Sequence, residues 1–125
     1  MAPSTLRALA DLRRPPVAVR YGPHRQQVCE LHVPDGPGPH PVGVVLHGGF
    51  WRARRSRRFV RPLCADLARG GWAAWNVEYR RVGLGQGGGW PATFVDVASG
   101  IDRLAEVRER LDLERVVAIG HSAGG

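Results

Sequence analysis

The sequence has no lysine: all 18 basic residues are arginine, and against 11 acidic ones they leave a formal charge of +7. That bias fits a GC-rich coding sequence as well as it fits an acidic partner. Cysteine is scarce too. Cys29 and Cys64 suit neither a disulfide-dense secreted scaffold nor a CxxC metal site, so both are expected to be reduced and inert. Long hydrophobic runs are missing, and none approaches the ~20 residues that a bilayer-spanning helix needs. Asp11, Arg13, Arg14, Pro15 and Pro16 interrupt the opening residues before a secretory hydrophobic segment is established. The arginine pair has the look of a twin-arginine signal, but prolines stand where its apolar stretch belongs. These absences disfavour secretion and membrane insertion, and a cytoplasmic protein is expected. What is present, 43% hydrophobic and 23% charged residues over 125 positions, is the balance of one globular domain.

Residues 1–16 read as a tail. Val17–Tyr21 and Val28–Val33 read as short strands forming a hairpin-like edge; in the second, Cys29, Leu31 and Val33 alternate with Glu30 and His32. A turn-rich loop from Pro34 to Pro41 leads into Val42–Leu46, an apolar run that suits a central parallel strand covered on both faces. Arg57–Arg69 reads as a helix with Phe59, Leu63 and Leu67 on its apolar face and Val60 and Cys64 beside them. Pro62 falls in its first turn, and Gly70 and Gly71 stop it. Trp72–Tyr79 is the next strand. After the glycine-rich stretch Gly83–Gly89, Trp90 and Pro91 open a second helix. Its expected apolar face is Phe94, Val97, Ala98, Ile101, Leu104 and Ala105, with Asp96, Arg103, Glu106 and Arg110 outside. Arg115–Ile119 reads as a buried strand. The order β-β-β-α-β-α-β predicts an α/β protein with a mainly parallel sheet and flanking helices.

Two motifs carry chemistry. Gly120-His121-Ser122-Ala123-Gly124 matches G-x-S-x-G at the end of a predicted strand, the context in which the pattern acts as a nucleophile elbow. The glycines two before and two after Ser122 relieve the crowding of a sharp turn that holds the serine in a strained conformation. In a chain with 17 glycines the pattern alone is only suggestive. The second motif, His47-Gly48-Gly49-Phe50-Trp51, also follows a strand directly. Acyl transfer needs two backbone donors aimed at the developing oxyanion. Ala123, after the nucleophile, is one candidate, and Gly49 or Phe50 is the other.

On these residues, with 76–81 and 88–93, the chain resembles the N-terminal half of an α/β-hydrolase in the esterase/lipase group with an HGG-x-W oxyanion loop. The same loop occurs in kynurenine formamidase-like enzymes. The resemblance covers 17–125 and implies Ser122 as nucleophile, Gly49, Phe50 and Ala123 as oxyanion donors, and His47, Gly48 and Trp51 as supports of the loop. It implies a small ester or amide substrate and neither a metal nor an organic cofactor. In this group the triad acid and base follow the nucleophile, and here nothing follows Gly125, so the expected fold is truncated after the elbow. The expected function is a carboxylesterase-type serine hydrolase, with an arylformamidase as one alternative. The other is a catalytically inactive truncated fragment or binding-only remnant.

Blander readings stand beside these. His47 and His121 are expected to serve local hydrogen bonding rather than to act as the base. Glu78 and Asp96 are expected to pair with nearby arginines, for instance Arg80 or Arg81 for Glu78. Gly83-Leu84-Gly85-Gln86-Gly87-Gly88 satisfies G-x-G-x-x-G, but Gly89, Trp90 and Pro91 separate it from the helix, so a dinucleotide site is disfavoured in favour of a loop at the active-site rim. The arginines from Arg52 to Arg61 read as a solvated face, and no specific nucleic-acid binding is expected. Oligomeric state is not legible.

Overall fold

The computed structural model of the chain describes residues 16–48, 56–83 and 87–125, with only the backbone of Ala123. Five strands, β1 (Val17–Arg20), β2 (Val28–His32), β3 (His40–Leu46), β4 (Ala73–Val77) and β5 (Leu111–Gly120), form one sheet in the order β1-β2-β4-β3-β5. β1 and β2 pair antiparallel, as the hairpin-like edge requires, and β2 pairs antiparallel with β4. β3 lies parallel between β4 and β5. The result is a mixed sheet flanked by helices, the α/β-hydrolase type of architecture.

The alternation of β3 and β4 divides the core between the two faces of the sheet. Val42, Val44, Ala73, Trp75 and Val77 pack on one face with Cys29 and Leu104, while Val45 and Ala74 pack on the other with Val60 and Cys64. Helix α1 (Arg61–Arg69) covers the second face. A 3-10 turn at Arg57–Val60, capped by the Ser56 side chain, leads into it, Pro62 occupies its start, and Gly70 ends it. The buried stripe is Val60 and Cys64, with Leu67 packed beside them, whereas Phe59 and Leu63 point outward. The expected face of this helix is therefore rotated, because Val60 and Cys64 are the positions that meet Ala74 and Val45.

Helix α2 (Ala92–Asp102) and the 3-10 turn Arg103–Val107 cover the first face. Here Leu104 is buried as expected, but most of the expected face is not. Thr93, Asp96, Gly100 and Leu104 are buried, and Phe94, Val95 and Ile101 are exposed. Gly100 explains the orientation: a Cβ there would lie 2.9 Å from Val77 Cγ1 and 3.1 Å from Cys29 Sγ, so only glycine lets the helix come this close. Trp75 Nε1–H donates to the Gly100 carbonyl at 2.9 Å. Asp96, expected outside, accepts from Arg80 Nε, Arg80 Nη2 and the Arg80 backbone N–H at 2.8–3.0 Å. Burial alone would raise its carboxyl, but the Arg80 and Gln27 hydrogen bonds outweigh that and hold it below the ordinary range.

β4 is shorter than the expected Trp72–Tyr79, and β5 begins four residues before Arg115. The expectation that Arg115–Ile119 is buried is also corrected. β5 forms an edge of the sheet, which leaves Val116 43% and Val117 49% exposed. Both cysteines are free and buried, and burial pushes each thiol up to about 12, which disfavours thiolate chemistry.

Candidate active site

Three parallel strands deliver their next residues to one end of the sheet. Leu46 of β3 is in register with Val77 of β4 and with Gly120 of β5, so His47, Glu78 and His121 leave the sheet side by side. The segment after β5 folds into a tight turn at Ser122–Gly124. The His121 N–H donates to the Leu46 carbonyl, the Gly124 N–H to His121 O and the Gly125 N–H to Ser122 O, each at 3.0 Å. Ser122 is exposed and has φ +54°, the left-handed region that a non-glycine residue occupies only at a cost of about 1–3 kcal/mol.

The glycines of the motif have steric reasons. A Cβ on Gly120 would lie 2.5 Å from Gly124 O, and one on Gly124 would run into the Leu46 carbonyl and come within 2.8 Å of His47 O. Gly48 makes a further contact between the two motifs. A Cβ there would collide with the His121 carbonyl and stand 2.9 Å from His121 Nδ1 and 3.0 Å from Ser122 Cβ. The structure therefore brings His47, Gly48, Ser122 and the Ala123 backbone to one place. Gly49, Phe50 and Trp51 lie outside the described residues, as do Arg52, Arg54 and Arg55 of the arginine cluster and residues 84–86 of the glycine-rich stretch.

His47 is wholly buried, and its ring stacks on Tyr79 with centroids 4.3 Å apart and planes within 6°. Its Nε2 lies 2.6 Å from Glu78 Oε1; a carboxylate only accepts, so Nε2–H donates. The Tyr79 hydroxyl donates to His47 O at 2.7 Å, and Nδ1 lies 3.0 Å from Gly48 O. Glu78, also wholly buried, accepts the Arg57 backbone N–H on Oε2 at 2.8 Å. Burial alone would raise the Glu78 carboxyl; the hydrogen bond and charge of His47, with the Arg57 N–H and the Arg81 charge, hold it below the ordinary range. Arg81, an expected partner of Glu78, is the more distant one at 3.7 Å. Glu30 is buried beside this group, ion-paired to Arg57 and Arg61.

The sequence reading missed that Glu78 and Tyr79 hold His47. The signal available was position: Glu78 is the first residue past β4, as His47 is past β3. Among the described residues no imidazole reaches hydrogen-bonding distance of the Ser122 hydroxyl, and none of their His, Cys, Asp or Glu side chains form a group of three fit for a metal. No helix of the described residues is long and apolar enough to cross a membrane.

The family model BD-FAE matches residues 29–125, from β2 through the turn at Ser122. The chain belongs to the BD-FAE family. No protein of curated function matches it. Among solved structures, this BD-FAE chain is similar to the propionate-bound thermophilic esterase Est2 of the planctomycete Thermogutta terrifontis. The two share 25% identity and a TM-score of 0.73 over 87% of this chain and 42% of the esterase. Esterase B of Lactobacillus rhamnosis, inhibited by a tributyrin phosphonate, matches with 24% identity and a TM-score of 0.75 over 97% of this chain and 42% of its own. The BD-FAE chain thus spans less than half the length of the structures it matches.

Proposed function

We propose that this chain provides the nucleophile and oxyanion-hole half of a serine hydrolase that cleaves carboxylic esters. The observation that carries the reading is the approach of Gly48 to Ser122, which sets an exposed, left-handed serine against the start of the HGG loop. Ser122 Oγ attacks the ester carbonyl carbon while a histidine base takes its proton. The carbonyl oxygen becomes an oxyanion, which accepts hydrogen bonds from the Ala123 N–H and from the N–H of Gly49 or Phe50. Collapse breaks the carbon–oxygen bond to the alcohol, which leaves with the proton. Water then attacks the acyl-serine in the same way, so ester and water yield acid and alcohol. His47 is not the base, since its Nε2–H is committed to Glu78 and its ring is buried.

Short acyl groups are the proposed substrates. The esterase at 25% identity has been captured with propionate and with butyrate, which supports that choice. The test is turnover of p-nitrophenyl acetate and butyrate by the full-length protein, with an N-formyl aryl amide assayed beside them. Ser122→Ala is expected to lower ester turnover by about 10⁴-fold or more. Turnover within tenfold of the parent protein would remove Ser122 from the reaction, and a preference for the formamide would replace the ester assignment.

A further inference from the structure

Residues 49–55 run from within the HGG motif to the turn that opens α1, and the described residues on either side of them converge on one side chain. Glu78 Oε1 takes the Nε2–H of His47, just before the segment, and Glu78 Oε2 takes the backbone N–H of Arg57, just after it. Two neighbours of Glu78 repeat the pattern. The Asn76 side-chain amide donates to the Arg57 carbonyl at 2.9 Å, and the Tyr79 hydroxyl donates to the His47 carbonyl at 2.7 Å. Both carbonyls and the Arg57 amide are thus held by residues at or just past the end of β4. Glu78 is the one residue of the three that bonds both ends.

We propose that Glu78 is a positioning residue that ties the two stems of the oxyanion loop together, one carboxylate oxygen on His47 and the other on the Arg57 backbone. What the tie serves rests on the serine hydrolase reading. A loop whose amides must meet an oxyanion within a few tenths of an ångström requires fixed stems, because hydrogen bonds weaken steeply as alignment is lost. A carboxylate suits the task chemically: both of its oxygens accept, and both partners donate. Methionine at the same place has a similar length but no carboxylate, so both His47 Nε2–H and the Arg57 N–H lose their acceptor; glutamine does not serve, because His47 can carry its proton on Nδ1, 3.0 Å from Gly48 O, and accept from the amide. Volume is preserved and the bridge is lost.

The first test is residue-resolved amide exchange in the full-length protein. Glu78→Met is expected to speed exchange by about tenfold or more at Gly48 and Arg57, while Trp75 and Val77 in β4 keep their protection. A rise at only one stem, at neither, or uniformly through β4 would overturn the tie. A second pair of variants guards against a Glu78→Met protein that does not fold. Ser56 is extended, with ψ 178°, which suits the residue before a proline, and Arg57 opens the turn, where proline is tolerated. Arg57→Pro deletes the donor to Glu78, and Arg57→Ala removes the same side chain but keeps the N–H. Exchange at Gly48 is expected to be faster by about tenfold in Arg57→Pro than in Arg57→Ala; equal rates would overturn the proposal.

The same pair separates positioning from general support of the fold. Ester turnover is expected to fall in kcat by about tenfold or more from alanine to proline, with KM within about threefold. A loss confined to KM would contradict a role in aiming the oxyanion donors. The exchange readout needs no activity. If Ser122→Ala keeps full turnover, the hydrolase assignment fails while exchange still decides the tie; if turnover depends on Ser122 and exchange is unchanged, only the tie fails.

Discussion

Gly48→Ala adds one methyl-sized group at the junction of the two motifs. Gly48 is absent from the positions with positive φ, so alanine meets no torsional penalty and the whole effect is steric. The new Cβ would lie 2.9 Å from His121 Nδ1 and 3.0 Å from Ser122 Cβ, and it would also run into the His121 carbonyl. Ordinary contact for such atoms begins near 3.4 Å. Loop and elbow must therefore separate by about 0.5 Å, and by more to clear the carbonyl, which is backbone and has no rotamer to escape into. Displacements of about 1 Å cost on the order of 100-fold in turnover, and loss of one oxyanion donor about 100- to 1000-fold. The expected result is a fall in kcat of roughly 30- to 300-fold with a smaller change in KM. Stability is expected to drop by about 1–3 kcal/mol, the usual range for overpacking. The assay is p-nitrophenyl acetate hydrolysis at saturating substrate, paired with a urea melt. A folded Gly48→Ala protein with kcat within threefold of the parent would refute the contact between the loop and Ser122.

Gly100→Ala gains about 1 kcal/mol of helix propensity, but its Cβ would press on Val77, Cys29 and Tyr21 at 2.9–3.3 Å, so a net loss of about 1 kcal/mol is expected from the urea midpoint. A stabilised variant would mean that α2 is not seated on Trp75. Glu30, Glu78 and Asp96 all have lowered carboxyl values in the fold. Their contribution is therefore present above the unfolded values, about 4 for both residue types, and is lost as pH falls through the lower folded ones. Urea midpoints should be level from pH 7 to about 5 and fall steeply below about 4; a midpoint that rises on acidification would contradict the pairing. Residues 1–125 expressed alone present Val116 and Val117 on the open edge of β5, with Phe94, Val95 and Ile101 outside α2. Strong binding of a hydrophobic dye and a tendency to associate are expected, and a monodisperse monomer without dye binding would argue that this surface is not sticky.

Periodicity was enough to locate the strands and helices, because β2, β3 and β4 alternate or run apolar between clear turn signals. It failed on the faces of the helices. Of the expected face, Phe94, Val97, Ala98, Ile101, Leu104 and Ala105, only Leu104 is fully buried, and Thr93, Asp96 and Gly100 are buried with it. Two tertiary facts decide this: the empty side of Gly100 against Val77 and Cys29, and the pairing of Asp96 with Arg80. Neither is a property of a helical window. The turn at Ser122 was legible because Gly120 answers to local crowding against Gly124, whereas the confinement of Gly124 by the Leu46 and His47 carbonyls is tertiary. The partnership of Glu78 with His47 spans 31 positions and exists only through the register of β3 and β4, so pairing with nearby arginines was all that the sequence suggested.

The assignment of Ser122 as the nucleophile is open to covalent capture. The full-length protein is treated with a fluorophosphonate, digested, and searched by mass spectrometry for the phosphonylated serine. A single adduct on Ser122 that disappears in Ser122→Ala is expected. An adduct on another serine, or labelling that survives the substitution, would contradict it.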